Sequence, residues 1–388
     1  MKDRIDVLVL AGHAPSLINF RGPLLAAMIR RGWQVTAAGP DMDAAMRDGL
    51  AALGVTPVEV TAARTGMNPL ADLAYFSALK RLFRAERPDV VLAYTAKPVI
   101  WGTLAARAVG VPRVVAMVTG LGYAFTPPGR PDPRHTVAIL AARALYRLAL
   151  PRADHVLFQN PDDRDLFDRL GFNPPPERVE VIAGSGVDLT RYTASPPPPR
   201  PDFLVLARLL RAKGVAEYAE AARRLKARYP EAEFRLAGPF DPGPDGVRPA
   251  EVERWVAGGV TYLGALDDVR PALAEAAVYV LPSYREGTPR SVLEALAMGR
   301  PVITTDAPGC RETVTDGVNG LLIPPRDVGA LEAAMERFIQ NPELIVPMGL
   351  ASLKLAREKY DVERVNARVL AALEGSDAAP RASSITHR

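Results

Sequence analysis

Residues 283–306 read SYREGTPRSVLEALAMGRPVITTD and combine a turn, an amphipathic helical repeat and a strand-like run. Thr288 is a typical N-cap residue and Pro289 suits the first helical position, while Gly299 ends the apolar repeat. The preceding run VYVLPS and the following run PVITT have the aliphatic and β-branched composition of buried strands. The segment therefore predicts a strand–helix–strand unit of a parallel sheet.

The same alternation continues on both sides of this segment. The runs DVLVLA, QVTAAG, DVVLAY and RVVAMV lie far upstream, and FLVLAR, EFRLAG and GLLIP lie closer, with Ala- and Leu-rich stretches between them. Strands that alternate with helices indicate parallel sheets covered by helices on both faces. We therefore predict an α/β protein with two doubly wound, Rossmann-like domains.

A proline-rich run, TASPPPPRPD at residues 193–202, interrupts the alternation. Consecutive prolines favour an extended chain that joins neither a helix nor a central strand. We expect a first domain over residues 1–192, this run as a linker, and a second domain over residues 203–360. A terminal helix over residues 361–374 and a disordered tail over residues 375–388 follow, because the periodicity ends there.

The bulk composition excludes several classes of protein. The 388 residues are 48% hydrophobic and 24% charged, which is typical of a globular protein, and they include one cysteine, Cys310. One cysteine forms no intrachain disulfide, and no Cys/His cluster has zinc-site spacing, so we expect a cytoplasmic protein without a metal. No run of about 18 apolar residues predicts a membrane span, and the N-terminus lacks the pattern of a signal peptide.

The excess positive charge lies in the first half of the chain. Residues 1–195 contain 23 Lys and Arg against 18 Asp and Glu, and residues 196–388 contain 25 against 26. The basic half suits anionic headgroups or phosphorylated acceptors, although scattered arginines are also ordinary on a solvated surface.

The segment HTVAILAARALYRLALPR, residues 135–152, fits either a helix at a membrane surface or a core helix with a solvated edge. No basic run interleaved with aromatics indicates a nucleic-acid partner.

Two glutamates lie near the predicted carboxyl end of a strand. Glu286 is in the turn and Glu294 is in the second turn of the predicted helix. Open α/β sheets bind ligands at this edge, where carboxylates can accept hydrogen bonds from sugar hydroxyls and free helix amides suit a diphosphate. The alternatives are that Glu286 caps the helix and that Glu294 is an ordinary surface acid.

Two cations are predicted at the same edge of the second sheet. The strand FLVLAR ends at Arg208, and LLRAKG brings Lys213 to the start of the next helix. Such cations can neutralise diphosphate oxygens and the charge that develops when a nucleotide diphosphate leaves. The alternative is a pair of exposed basic residues without a ligand.

Taken together, ARLLRAKG, YLGAL, LPSYREGTPRSVLEALAMGRPVI and GVNGLLIPPRD resemble glycosyltransferase family 4, the retaining nucleotide-sugar transferases of GT-B fold. The resemblance covers the second domain nearly end to end. It implies that Arg208 and Lys213 bind the donor diphosphate, that Glu294 holds the ribose hydroxyls, and that Glu286 contacts the donor sugar.

The resemblance also implies catalytic roles for Glu286, Arg208 and Lys213, and donor contacts from the turn residues Gly287, Thr288 and Pro289. It further implies a UDP-sugar donor, no metal or other cofactor, two domains facing each other across a cleft, and a terminal helix that crosses back to the first domain.

The first domain looks like the subgroup that extends polyprenyl-diphosphate-linked sugars, which includes N-acetylgalactosaminyltransferase-like members. The similar stretches are INFRGPLLAAMIRRG, YTAKPVIWGTLAAR and VTGLGYAFT. Each follows a predicted strand, which makes the following residues candidates for the acceptor site: His13, Asn19, Arg21, Lys97, Thr119 and Gly120. Structural salt bridges are the alternative for the two cations. Many family members carry a histidine in the loop that reads VTGLGYAF here, and its absence leaves His13 as the spare candidate.

The resemblance predicts a retaining hexosyltransferase. It would move a hexose or N-acetylhexosamine from a UDP-sugar to a polyprenyl-diphosphate-linked saccharide in surface polysaccharide or glycan assembly. The expected location is cytoplasmic and peripheral on the inner face of the membrane. A nucleotide-sugar epimerase of the same architecture and a non-catalytic nucleotide-sugar-binding regulator are the alternatives.

Overall fold

Two parallel β-sheets carry the fold in the computed structural model, which describes residues 4–61, 68–121, 133–243 and 245–375. The first sheet consists of β1 (Asp6–Ala11), β2 (Gln34–Gly39), β3 (Thr56–Glu59), β4 (Val90–Tyr94), β5 (Arg113–Val118), β6 (His155–Phe158) and β7 (Val179–Val181). Its order is β3-β2-β1-β4-β5-β6-β7, and every pair is parallel. The strand order reverses between β1 and β4, which opens a crevice at their carboxyl ends.

Helices cover both faces of the first sheet. They are α1 (Pro15–Asn19), α2 (Gly22–Arg30), α3 (Ala44–Ala52), α4 (Pro69–Glu86), α5 (Thr103–Val109), α6 (Pro133–Ala149) and α7 (Pro161–Arg169). All five residues of β4 are buried. Burial on both faces explains why the central strands read as continuous apolar runs rather than as alternating ones.

The second sheet consists of β8 (Asp202–Leu206), β9 (Glu233–Ala237), β10 (Val260–Tyr262), β11 (Val278–Leu281), β12 (Val302–Thr305) and β13 (Gly320–Ile323). Its order is β10-β9-β8-β11-β12-β13, again fully parallel, and the reversal lies between β8 and β11. The helices around it are α8 (Val215–Arg228), α9 (Pro249–Ala257), α10 (Arg270–Ala274), α11 (Arg290–Ala297), α12 (Val328–Gln340) and α13 (Ile345–Leu355).

The last helix, α14 (Val362–Glu374), packs on the first sheet although it follows the second. It buries Val365, Val369 and Leu373 in the core between α2 and the first sheet. Each such burial contributes about 1.5–3 kcal/mol, which holds the crossing in place. The chain crosses where Val187 N–H donates to the Tyr360 carbonyl at 2.7 Å and Val362 N–H donates to the Val187 carbonyl at 3.1 Å.

The proline-rich segment lies against the second domain. The buried Arg300 donates to the Ser195 carbonyl at 2.7 Å and to Ser195 Oγ at 2.6 Å. Strand β8 already begins at Asp202, one residue inside the segment expected to be linker. The described part of the chain contains no helix that is long and apolar enough to span a bilayer.

The structure corrects one detail of the opening segment. Helix α11 begins at Arg290 with Pro289 at the N-cap, so Thr288 is not the cap residue. The Thr288 hydroxyl instead donates to the Gln159 carbonyl of the first domain at 2.8 Å, because this tertiary bond competes with local capping. Residues 122–126 of the stretch VTGLGYAFT and residues 376–388 of the expected tail lie outside the described residues.

Candidate active site

Lys213 and Glu286 meet at the reversal point of the second sheet. Glu286 follows β11 and forms an ion pair with Lys213, which precedes α8, and it also accepts a hydrogen bond from Ser283 Oγ at 2.7 Å. Gly214 allows this approach, because it has a φ of 68° and a Cβ there would lie 2.1 Å from the Pro282 carbonyl oxygen. Glu286 therefore does not cap a helix; its carboxylate is part of a charged pair at the ligand-binding edge.

Arg208 lies at the same edge, just beyond the end of β8. Its guanidinium donates to Asp241 at 2.8 Å, and half of its side chain, 50%, remains exposed. An ion pair of this exposure is weak, so the guanidinium can turn towards an anion at low cost.

Glu294 is buried in the second turn of α11. It is 7% exposed, which excludes an ordinary surface acid. Arg290, one turn earlier, donates to it at 2.8 Å, and Tyr192 forms a second hydrogen bond to it. Burial, followed by the charge of Glu294 and this hydrogen bond, raises the pKa of Tyr192 to about 12. The two partners fix the carboxylate in one orientation.

Cys310 contacts the loop that carries Ser283 and Glu286, and it is fully buried. Burial raises the pKa of its thiol to about 12, with a smaller contribution from the charge of Glu286. A protonated, buried thiol is a packing residue and not a nucleophile.

The turn after Glu286 touches the first domain. A Cβ on Gly287 would lie 2.3 Å from the Thr119 carbonyl oxygen, and a Cβ on Gly120 would lie 3.1 Å from the Gly287 nitrogen. Thr119 and Gly120 follow β5, so the structure brings two of the acceptor candidates into contact with the turn after Glu286. The backbones meet because neither glycine carries a side chain.

The start of α7 holds the same turn from the other side. Asn160 caps the helix by accepting from Asp163 N–H at 2.8 Å, and its side-chain amide donates to the Gly287 carbonyl at 2.7 Å. Asp163, fully buried, forms an ion pair with Arg285. Burial raises the pKa of Asp163, and Arg285 opposes that shift. The sequence reveals Asn160 as a helix cap, but nothing in it indicates a partner in the other domain.

The remaining acceptor candidates lie at the reversal point of the first sheet. His13 follows β1, Asn19 ends α1 and is exposed, and Arg21 precedes α2 and is buried. Lys97 follows β4 and donates to Asp72 at 2.8 Å. The structure thus gives Lys97 a salt bridge, whereas the buried Nε of Arg21 has no hydrogen-bond partner within the described ranges.

No group of three His, Cys, Asp or Glu residues is placed to hold a metal ion in the described part of the chain.

Two family models match the chain. The model of the glycosyl transferase 4-like domain matches residues 21–185, and the model of glycosyl transferases group 1 matches residues 200–341. The first match spans β2 to β7 of the first sheet, and the second spans all strands of the second sheet.

Two curated relatives match over most of their length. The N,N'-diacetylbacillosaminyl-diphospho-undecaprenol alpha-1,3-N-acetylgalactosaminyltransferase of Campylobacter jejuni is 28% identical over 355 residues, 88% of this chain and 90% of that protein. The UDP-Gal:alpha-D-GlcNAc-diphosphoundecaprenol alpha-1,3-galactosyltransferase of Escherichia coli is 27% identical over 76% of this chain and 78% of its own.

Among solved structures, HepE of Anabaena in complex with UDP and glucose superposes with a TM-score of 0.75 at 19% identity, covering 96% of this chain and 100% of that one. Sucrose-phosphate synthase of Thermosynechococcus elongatus gives a TM-score of 0.76 at 19% identity, covering 96% of this chain and 99% of that one. These likenesses show the fold. With both family models matching, the chain belongs to glycosyltransferase family 4 and is a hexosyltransferase of GT-B fold.

Proposed function

We propose that this hexosyltransferase moves a hexose or N-acetylhexosamine from a UDP-sugar to a polyprenyl-diphosphate-linked saccharide. The observation that carries the proposal is the charged pair of Lys213 and Glu286 at the reversal point of the second sheet, with Arg208 at the same edge. The names of the two curated relatives, which specify acceptors linked to undecaprenyl diphosphate, support the acceptor class.

In this proposal the donor binds along the edge between β8 and β11. The ammonium of Lys213 has three donors, so it can keep Glu286 and still bind a diphosphate oxygen, and Arg208 is exposed enough to join it. Glu294 would accept from the ribose hydroxyls, and Glu286 would contact the sugar. The turn residues Gly287, Thr288 and Pro289 would line the donor site beside the first turn of α11.

The resemblance to retaining transferases implies a front-face transfer step at these positions. The bond from the anomeric carbon to the β-phosphate oxygen breaks while the acceptor hydroxyl oxygen bonds to the same face of that carbon, which retains its configuration. The hydroxyl proton passes to the leaving phosphate, so no protein nucleophile is needed. Arg208 and Lys213 stabilise the leaving diphosphate, and each such preorganised donor typically lowers a barrier by about 2.7–4 kcal/mol. We therefore propose that the reaction needs no divalent metal.

Contact between the domains would protect this step from water. The Thr119 carbonyl approaches Gly287 closely, and the Asn160 amide holds the Gly287 carbonyl at 2.7 Å. These contacts lie next to Glu286, where the donor sugar would sit. Exclusion of water there would prevent hydrolysis of the donor.

We also propose that the first domain rests on the cytoplasmic face of a membrane. Helices α4 and α6 both pack against the helical segment Pro98–Gly102, and both carry exposed aliphatic side chains. These side chains are Leu70, Leu73, Val137, Leu140 and Leu148. Arg147 is exposed on the same helix as three of them and suits anionic headgroups.

The test is incubation of the purified protein with a panel of radiolabelled UDP-sugars and membrane extract, followed by organic extraction of lipid-linked product. Label in the lipid phase with the wild type but not with Glu294→Ala would establish the transfer and identify the donor sugar. A parallel arm with EDTA tests the metal requirement, since lost label there would contradict a metal-free step. Conversion of the UDP-sugar without an acceptor would favour the epimerase, and UDP-sugar binding without any turnover would favour the regulator.

A further inference from the structure

Arg21 is a buried cation that has no counter-ion among the residues that the structure describes. It lies between α1 and α2, is 4% exposed, and has its guanidinium carbon 5.0 Å from the centre of the Tyr94 ring. Its Nε is buried and has no hydrogen-bond partner. Burial lowers the pKa of Arg21; Tyr94 opposes this shift, and the charge of Arg290 lowers the pKa further.

Two other cations, one buried and one half-buried, show how the chain satisfies such a charge. Arg300 is fully buried, and its guanidinium donates to the carbonyls of Leu273, Ala274 and Ser195. The ammonium of Lys97 is neutralised by Asp72. Neither solution is present at Arg21 within the described residues. A guanidinium stays protonated in proteins, so apart from its contact with the Tyr94 ring the charge of Arg21 is buried without an anionic partner among the described residues.

Arg290 of the second domain places a second guanidinium near Arg21. Its guanidinium carbon lies 5.2 Å from the centre of the Phe20 ring, and Phe20 directly precedes Arg21. Arg290 also donates to Glu294, the proposed ribose ligand. Two cations and one carboxylate therefore meet where the reversal points of the two sheets face each other, and the local charge is positive.

The geometry points to an anion site formed by Arg21 and Arg290 across the cleft, and we propose that it takes the diphosphate of the lipid-linked acceptor. This inference rests on the proposed function, in which Arg208 and Lys213 already hold the donor diphosphate. A second diphosphate would neutralise Arg21 and relieve its repulsion with Arg290. Because Arg290 also holds Glu294, the same site would link acceptor binding to the donor.

The experiment uses the full chain saturated with UDP, which occupies the donor site. Geranyl diphosphate, a soluble isoprenoid diphosphate, is titrated by calorimetry, with inorganic pyrophosphate and geraniol as arms that separate the diphosphate from the isoprenoid. The variants are Arg21→Met, Arg21→Lys and Arg290→Gln. Arg107→Met is the matched control, because it removes a first-domain cation that already has a counter-ion, Asp154.

We expect both diphosphates to bind the UDP-saturated wild type and geraniol not to compete with pyrophosphate. Arg21→Met and Arg290→Gln should weaken geranyl diphosphate binding at least about tenfold, as expected for loss of a charge-assisted hydrogen bond. Arg21→Lys should recover part of the affinity, and Arg107→Met should leave it unchanged. Arg21→Met should also raise the melting temperature of the free protein, because it removes an uncompensated charge, whereas loss of a structural arginine would lower it.

Three results would overturn the inference. They are no diphosphate binding to the UDP-saturated protein, competition between geranyl diphosphate and UDP for one site, and unchanged binding by Arg21→Met. Each is separate from the fate of the proposed function, which is decided by the appearance of lipid-linked product.

Discussion

Asp163 of the first domain and Arg285 of the second form an ion pair in which the carboxylate is fully buried. Arg285 directly precedes Glu286, so the pair fixes one end of the turn that carries a proposed catalytic residue. A buried pair contributes little net stability compared with apolar residues, but loss of one partner is costly. The main effect of this pair is therefore to fix the position of one domain relative to the other.

A double-mutant cycle tests the pair. Asp163→Asn leaves Arg285 without its counter-charge, so we expect the free energy of unfolding in urea to fall by about 3–5 kcal/mol. Adding Arg285→Gln should cost less than the sum of the single changes. Asp165→Asn, which breaks an exposed pair with Arg164 on the same helix, is the control and should cost at most about 1 kcal/mol. Additivity within about 0.5 kcal/mol would show that the two residues are not coupled.

Gly287→Ala should separate activity from donor binding. The new Cβ would lie 2.3 Å from the Thr119 carbonyl oxygen, so the domains must move apart at the turn. We expect kcat to fall by about a hundredfold, as for small displacements of reacting groups, while UDP affinity changes little. Gly329→Ala in α12 is the control, because the nearest atom to its Cβ is 3.5 Å away. Full activity of Gly287→Ala would show that close contact of the two turns is not required.

Glu312 predicts a pH dependence of stability. Burial, with a further contribution from Asp162, raises its pKa from 4.5 to about 7, and one of its carboxylate oxygens is buried without a partner. Between these two pH values the folded state keeps a proton that the unfolded state releases. The free energy of unfolding should therefore fall as pH rises from about 4.5 to about 7, by up to about 1.4 kcal/mol per pH unit.

Urea unfolding of Glu312→Gln across this range is the measurement. The variant should show a flatter profile and should exceed the wild type in stability at pH 8, where the wild-type carboxylate is ionised. The exposed Glu343→Gln should keep the wild-type profile. A wild-type stability that rises steadily from pH 4.5 to pH 7 in this series would refute the assignment to Glu312.

The fold and the donor-side residues could be predicted because their signals are local. Arg208, Lys213, Glu286 and Glu294 each lie within a few residues of a strand end or helix start. In a parallel sheet those ends share one edge, so sequence adjacency translates directly into spatial proximity. The curated relatives and family models agree with the fold and activity, and the individual site residues stay predictions.

The interdomain contacts could not be predicted because their partners are remote in sequence. Asn160 and Gly287 are separated by 127 positions, and Asp163 and Arg285 by 122. The preference of threonine for helix N-caps also gave a wrong prediction at Thr288, whose hydroxyl donates to the other domain instead of capping the helix. The hydrogen bond between Tyr192 and Glu294 could not be predicted either, because a single tyrosine before a proline-rich run belongs to no sequence pattern.

Leu140→Asp should weaken membrane binding. Leu140 is 59% exposed on α6, the helix that also carries the exposed Arg147, and a carboxylate there would repel anionic headgroups and remove an apolar contact. We expect several-fold less flotation with vesicles that contain phosphatidylglycerol, and little flotation of either protein with phosphatidylcholine alone. Leu350→Asp, at a position 64% exposed in the second domain, is the matched control. Equal losses for both variants would place the membrane contact elsewhere.

Uridine and UDP should distinguish the roles of Lys213 and Glu294. In the proposed donor site Lys213 meets the diphosphate and Glu294 meets the ribose, so Lys213→Ala should weaken UDP binding and leave uridine binding unchanged. Glu294→Gln should weaken both ligands by roughly ten- to a hundredfold, because hydrogen bonds to a charged acceptor contribute about 1.5–3 kcal/mol. Lys226→Ala, which removes a lysine paired with Glu233 in the same domain, should affect neither ligand. If Lys213→Ala weakened uridine as much as UDP, the lysine would act by holding Glu286 and its turn in place, and the diphosphate would depend on Arg208 and the helix amides.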